Sequence, residues 1–338
     1  MTTASTGWVP PTETEQLLSA AGESGDPQAE LAVLARARLF LPVGRLHADT
    51  PGSSAPLVPV KDPLSGKWSI AVFTAGMLPR WHPEWVHRST TLAELARDWP
   101  NDKWRLAVNP GTPCATSIEA TRSRRRTWQR VAEETGGTPR GLLVTHTGGP
   151  LSGALAHGLA CGAHLSLHNS VAWNELGTTY LDYFDDARIL RGTWRVTNRA
   201  QFQSKLTELL EARFSSDREA GQRSTRYEER FRADGVLGHG EPVDSLRAFD
   251  YGRIIMFVRI ALGARLCDPR EAEEAVLAAG RLSRETYASW SAFSAAYCLA
   301  RVLAFDEDEF GRTYQESVAQ HRILTQDPNS PYRSIPWS

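Results

Sequence analysis

From Phe202 onward the apolar residues of this 338-residue chain recur at helical spacing, and that periodicity restricts its second half more than any other feature. Phe202, Leu206, Leu209, Leu210 and Phe214 lie three or four residues apart, as one face of a helix requires. Phe249, Ile254, Phe257, Val258 and Leu262 belong to a second apolar helix, Trp290, Phe293, Tyr297 and Leu299 to another, and Phe310, Tyr314, Val318 and Ile323 to a further one. Between them, Asp268-Pro269-Arg270-Glu271 combines an N-cap acceptor, a proline at the first helical position and a glutamate at the third. The helix it opens continues through Ala272–Leu282. From Trp173 on no strand pattern is convincing, so residues 170–338 are expected to form an all-α domain.

Residues 1–114 read as a small α/β domain, which makes the fold class α+β. Asp26-Pro27 caps a helix through Leu31, Leu34, Ala35 and Arg38. Leu39-Phe40-Leu41-Pro42-Val43 reads as a strand, Thr50 to Pro59 as a loop, and Lys67 to Phe73 alternates like a half-buried strand. Thr91-Leu92-Ala93-Glu94 is a capping box, and Trp104 to Val108 is another strand, closed by Asn109-Pro110-Gly111. Residues 115–169 are expected to be a basic linker followed by a Gly- and His-rich connecting segment. Arg122, Arg124, Arg125, Arg126 and Arg130 crowd the linker, and Gly136-Gly137-Thr138-Pro139 ends it. A nucleic-acid arm is the alternative there. With Trp128 the single aromatic nearby, a solvated helix is the reading preferred.

Thirty-eight basic and 39 acidic residues nearly cancel, so no global field draws the chain to nucleic acid or an anionic membrane. The N-terminal MTTASTGWVPPTETEQ lacks the charged start and apolar run of a secretory signal, and no apolar stretch reaches the ~20 residues of a membrane helix. A cytoplasmic location is expected. Cys114, Cys161, Cys267 and Cys298 are scattered and form no C-x-x-C pair, so buried reduced thiols are expected.

Signatures of catalysis are missing. No G-x-S-x-G occurs, and Gly148-Gly149-Pro150-Leu151-Ser152-Gly153 lacks the Lys-Ser/Thr of a phosphate loop. No cofactor is expected. Among His146, His157, His164 and His168, the pair His164/His168 has the i, i+4 spacing of a zinc site. His-Leu-Ser-Leu-His also alternates as a strand would, and with no carboxylate within the pair no metal is expected.

Two sets of residues are candidates for binding. Asp250 and Arg253 can pair on one helical face, with Arg333 between Pro331 and Pro336 in a tail that carries Trp337; Asp182, Asp185 and Asp186 precede Arg188 and Arg191. Asp250, Arg253 and Arg333 either line a cleft for an acidic or phosphorylated partner or clamp the tail onto the bundle. Trp81-His82-Pro83-Glu84-Trp85 either presents Trp81 and Trp85 as a partner-binding patch or packs them inward.

Leu39 to Val43, Ser69-Ile70-Ala71-Val72-Phe73-Thr74 and Ala107-Val108-Asn109-Pro110-Gly111-Thr112, in that order, make residues 13–114 resemble the N-terminal domain of the SseB family. That resemblance implies a small α/β fold used in protein interaction, near bacterial toxin systems, and lends no catalytic residue. Phe249-Asp250-Tyr251-Gly252-Arg253, Ser289-Trp290 with Phe293 and Tyr297, and the motif from Asp327 to Trp337 make residues 170–338 resemble the domain of unknown function 1266 family, seen in YbeU- and YbeR-like proteins. No chemistry comes with that family. The function expected is a non-enzymatic, cytoplasmic partner of another protein, an immunity or adaptor protein of a bacterial secretion or toxin system. The alternative is an enzyme or toxin effector built around Asp250 and Arg253.

Overall fold

A computed structural model describes residues 8–50, 57–61, 66–136, 141–176, 183–213 and 222–337. Phe214, Asp182, most of the Thr50–Pro59 loop and the break after Gly136 lie outside them. The described residues separate into two compact units: 8–136 with 146–148 and 183–189, and 141–145 with 149–176, 190–213 and 222–337.

The first unit opens with α1 (Glu13–Ser24) and α2 (Pro27–Arg36). Asp26 starts α2 as its sequence dictates, its carboxylate accepting from the backbone N–H of Gln28 and Ala29. After β1 (Leu39–Gly44) come the short α3 (Arg45–Ala48), β2 (Val60–Lys61), β3 (Trp68–Thr74), β4 (Trp85–Thr90), α4 (Leu92–Asp98), β5 (Arg105–Val108), β6 (Thr116–Glu119) and α5 (Arg122–Thr135). The mixed sheet has the order β4-β1-β3-β5-β6, with β2 paired to β3; β3 and β5 run parallel and the other pairs antiparallel. Alternation puts Leu39, Leu41, Ile70, Val72, Leu106 and Val108 into one core with Leu18, Leu31, Leu34, Leu92, Leu95 and Trp128 of the helices. The capping box at Thr91 forms, with Thr91 and Glu94 bonding each other's backbone N–H.

The basic stretch is no linker. Residues 116–119 are the terminal strand of the sheet, and α5 packs on α2 and α4. Trp128 and Val131, three residues apart, make its buried face, and Trp128 meets Trp99 edge-on at 5.8 Å. Arg122, Arg126 and Arg130 lie on a face left over, whereas Arg124 stands one turn before Trp128 on the same side and is exposed at the start of the helix. Nor does a connecting segment run to residue 169: α6 (Gly153–Ala160) and α7 (Ala163–Asn169) pack within the second unit, so the division falls near residue 140. The apolar run at 142–144 contributes an isolated bridge, Val144 to Ala172. The chain returns to the first unit with α8 (Tyr183–Ile189), which packs on β4.

The second unit continues with a π-helical turn (Leu190–Trp194), α9 (Arg199–Leu210), α10 (Gln222–Ala233), α11 (Ala248–Gly263), α12 (Pro269–Thr286), α13 (Trp290–Phe305), α14 (Arg312–Gln326) and α15 (Pro331–Ser334). The described part of this unit is helical, as the periodicity requires. α11 is its centre, buried along nearly its whole length and flanked by α7, α9, α12 and α13. Glycine permits the approach: a Cβ on Gly252 would stand 2.8 Å from the ring of Tyr297 and 2.9 Å from the carbonyl oxygen of Cys161. Among the described residues no single helix is long and apolar enough to cross a membrane.

Candidate functional site

Each unit buries polar side chains in its interior. In the first, the ends of β3 and β5 meet α1. Asn109 follows β5 in the left-handed region (φ 49°), and its backbone N–H donates to the Val72 carbonyl at 2.8 Å. That turn aims its amide at Thr74, accepting from the Thr74 N–H at 2.8 Å and donating to the Thr74 hydroxyl at 3.0 Å. The hydroxyl in turn donates to the fully buried Glu15, which also accepts from Thr12 and from the Gly76 N–H at 3.1 Å. A Cβ on Gly76 would run into that carboxylate. Asn109 also donates to Cys114 Sγ at 3.4 Å, and burial pushes the Cys114 thiol up, away from the reactive thiolate. The node ties α1 to the sheet through backbone donors and hydroxyls, with no opening to solvent at Glu15, Thr74 or Asn109.

The second node lies between α7, α13 and α14. Ser294 Oγ is 2.9 Å from His164 Nε2 and 2.9 Å from His321 Nδ1. His164 also stacks on Tyr297, ring centroids 4.3 Å apart and planes 10° apart. Burial drives His164 well below the usual imidazole range; it pushes His321 down to about 4, with the Arg322 charge adding to the effect. His157, on α6, is fully buried beside Trp290 and Trp337 and is also pushed down to about 4, by burial first and Arg284 second. A general base needs a pKa near the working pH and a path to substrate. These histidines have neither.

Asp250 and Arg253 do come together: Nη1 and Oδ1 are 3.3 Å apart within α11, with Asp250 fully buried and Arg253 about one-fifth exposed. The guanidinium lies over the rings of Trp194, at 4.6 Å, and Phe249, at 5.2 Å. Arg333 joins neither. It is exposed on α15, with no side-chain hydrogen bond or ion pair among the described residues. The tail is held instead by Trp290 Nε1, which donates to the Ile335 carbonyl at 2.8 Å, and by Trp337 Nε1, which donates to that of Tyr287 at 2.9 Å. Arg188 pairs with Asp185 at 2.9 Å. Trp81 is partly buried and Trp85, the first residue of β4, is half exposed, so neither alternative for that pair holds for both.

His164 and His168 share α7, which settles helix over strand there; His164 is buried and His168 exposed. Among the described residues no three His, Cys, Asp or Glu side chains gather as a metal site would require. All four cysteines are free and buried. An open groove of about 530 Å³ at the end of α13 is lined by Glu307 and by charges already engaged, Arg226 with Glu309 at 3.0 Å and Arg223 with the Asp306 carbonyl.

The sequence gives no pattern for Arg259, buried on α11 and bonded to Ser166 Oγ at 3.1 Å and to the carbonyls of Ala172 and Trp173 at 2.9 Å each. Ser294 and His321 are equally silent, and His157 stands out only as one of four nearby histidines, since nothing in the spacing links three separate helices. Thr74 and Asn109 do carry a signal, both lying in the motifs quoted for the first domain.

On α5, Arg125 is engaged by Asp102 and the Ala120 carbonyl, and Arg130 lies 3.9 Å from Glu134. Arg122, Arg124 and Arg126 are exposed with no ion pair among the described residues. Arg122, Arg126 and Arg130 follow each other at i, i+4 spacing, roughly 6 Å apart along the axis. Glu133 and Glu134 occupy the last turn, so the helix carries cations at its positive end and anions at its negative end.

Residues 201–337 match the family model described as "Protein of unknown function (DUF1266)", which covers α9 to the tail and begins later than residue 170. No SseB-like domain is detected over the first unit. No curated protein matches, and no solved structure does either.

Proposed function

We propose that this protein acts by binding another protein, as a cytoplasmic, non-enzymatic immunity or adaptor protein of a bacterial secretion or toxin system, with α5 facing the partner. The observation that carries this reading is the contrast between sealed polar nodes and an uncompensated surface. Glu15, His157, His164 and His321 are closed to solvent, whereas Arg122, Arg124 and Arg126 are exposed and unpaired among the described residues. Like charges one turn apart cost a few tenths of a kcal/mol per pair, and cations at a helix N-terminus cost about 0.3–1 kcal/mol each. An acidic partner docked over the start of α5, against the Arg122 and Arg126 side, would reverse both terms. Nucleic acid fits less well, because the one aromatic of α5, Trp128, is buried and offers no base a platform. The resemblance of residues 13–114 to the SseB N-terminal domain supports the same class.

Capture from native lysate with the full chain and with an R122Q/R124Q/R126Q variant tests the reading. The expected result is one stoichiometric protein partner, lost with the variant. No stoichiometric partner, or one retained by the variant, would count against it. An enzyme built on Asp250 and Arg253 finds less support, since Asp250 is fully buried and paired within its own helix.

A further inference from the structure

Ser330 to Trp337 form a strap across the second unit. Ser330 caps α15, its hydroxyl accepting from the Tyr332 N–H at 3.2 Å and donating to the Leu324 carbonyl. Tyr332 stacks on Trp290 at 4.5 Å with planes 9° apart. Beyond α15 the chain alternates: Ile335 is buried, Pro336 exposed, and Trp337 half-buried, edge-on to Trp290 at 4.7 Å and 6.1 Å from Phe293. Two indole N–H groups hold this last stretch through the bonds to Ile335 and Tyr287.

Beneath the strap lies His157, its ring 4.6 Å from Trp290 and 5.1 Å from Trp337. Neither ring nitrogen has a hydrogen-bond partner at bonding geometry. A neutral imidazole has one N–H to place and a charged one has two. The charged group that acts on the ring is Arg284 of α12, which repels a proton there. Trp290 of α13 and Trp337 of the strap are uncharged, Gly280 of α12 has no side chain, and the Pro336 carbonyl of the strap alone favours the charged form. A proton on His157 therefore needs water. Trp290 is buried, and of the two indoles against the ring only Trp337 borders solvent.

We propose that the strap is an acid-released latch: protonation of His157 lifts Trp337 and the residues after α15 from the second unit and uncovers Trp290 and Phe293, while the helices stay folded. Once Trp337 has left, the imidazole regains water and its ordinary affinity for protons, so proton and strap compete for one state of the ring. With the buried ring at about 4 against an ordinary 6.5, acid weakens docking by up to on the order of 10²-fold. The strap is closed at neutral pH and opens as pH falls towards 4.

Fluorine NMR of the full chain labelled with 5-fluorotryptophan tests this, with the Trp337 resonance assigned through W337F and far-UV circular dichroism recorded alongside. Between pH 7 and 4 the Trp337 signal should move to its solvent-exposed position before helical dichroism falls. In H157F, which fills the slot without a titrating group, it should stay at the docked position at least one pH unit lower. H157Q, uncharged and polar, should behave as H157F does, and serves where H157F does not fold. Release at the same pH in the substituted protein, a Trp337 signal that stays docked until helicity collapses, or a strap that tightens in acid would each overturn the proposal.

Discussion

Ser294 has one hydroxyl proton to give, and that fixes the state of two histidines. It can donate to only one of His164 Nε2 and His321 Nδ1, so the other ring must donate to it, and the two neutral rings share one tautomer, both Nδ1–H or both Nε2–H. Ser294→Ala leaves two buried imidazole nitrogens without that partner and is expected to cost about 1–3 kcal/mol, read from the midpoint of urea unfolding. The same burial sets a pH dependence. His157 and His321 titrate near 4 in the folded chain, and His164 well below 6.5. The unfolded chain takes protons at about 6.5. Stability is therefore complete above pH 6.5 and falls as pH drops towards 4, by about 1.4 kcal/mol per pH unit for each histidine. Unfolding midpoints between pH 7 and 4 check the sign. Little of this is legible in the primary structure. His164 stands out through its distance from His168, yet its real partners, Ser294 and His321, are 130 and 157 positions away.

Individual elements were easier to read, because caps and periodicity are local. Asp268 accepts from the Glu271 N–H at 2.9 Å while Glu271 bonds back to Asp268 N–H at 3.0 Å, the box that its four-residue signature encodes. Asp268→Ala should cost about 0.5–2 kcal/mol by the same unfolding measurement. Gly252 belongs to α11 for a reason no local rule supplies, the 2.8 Å that separates its missing Cβ from Tyr297. Gly252→Ala overpacks that crossing and is expected to destabilise by about 1–3 kcal/mol, against the gain of a few tenths to 1 kcal/mol that Gly→Ala brings in an open helix. α5 misleads for the opposite reason. Five arginines in a nine-residue span from Arg122 to Arg130 dominate its composition, and they hide the Trp128 and Val131 spacing that docks it on α2 and α4.

At the scale of the whole chain, the α+β division was legible as a change of period, whereas its place was not. Residues 141–169, the Gly- and His-rich end of the 115–169 stretch, read as a connection. Their small residues instead let α6 lie against α12, where a Cβ on Gly280 would stand 3.0 Å from Gly158 Cα. Every buried histidine among the described residues belongs to the second unit. Acid should therefore lower the calorimetric transition of that unit ahead of the first. On the surface of the first unit, Arg122, Arg124 and Arg126 are proposed to receive an acidic protein partner. Calorimetric titration of the full chain with a peptide of alternating Glu and Ser, repeated at rising salt, tests it most directly. Binding that weakens with salt and is lost in R122Q/R124Q/R126Q, with a melting temperature no lower than that of the parent chain, is the result predicted. Equal binding by the variant, or displacement of the peptide by an equal charge of duplex DNA, would contradict it.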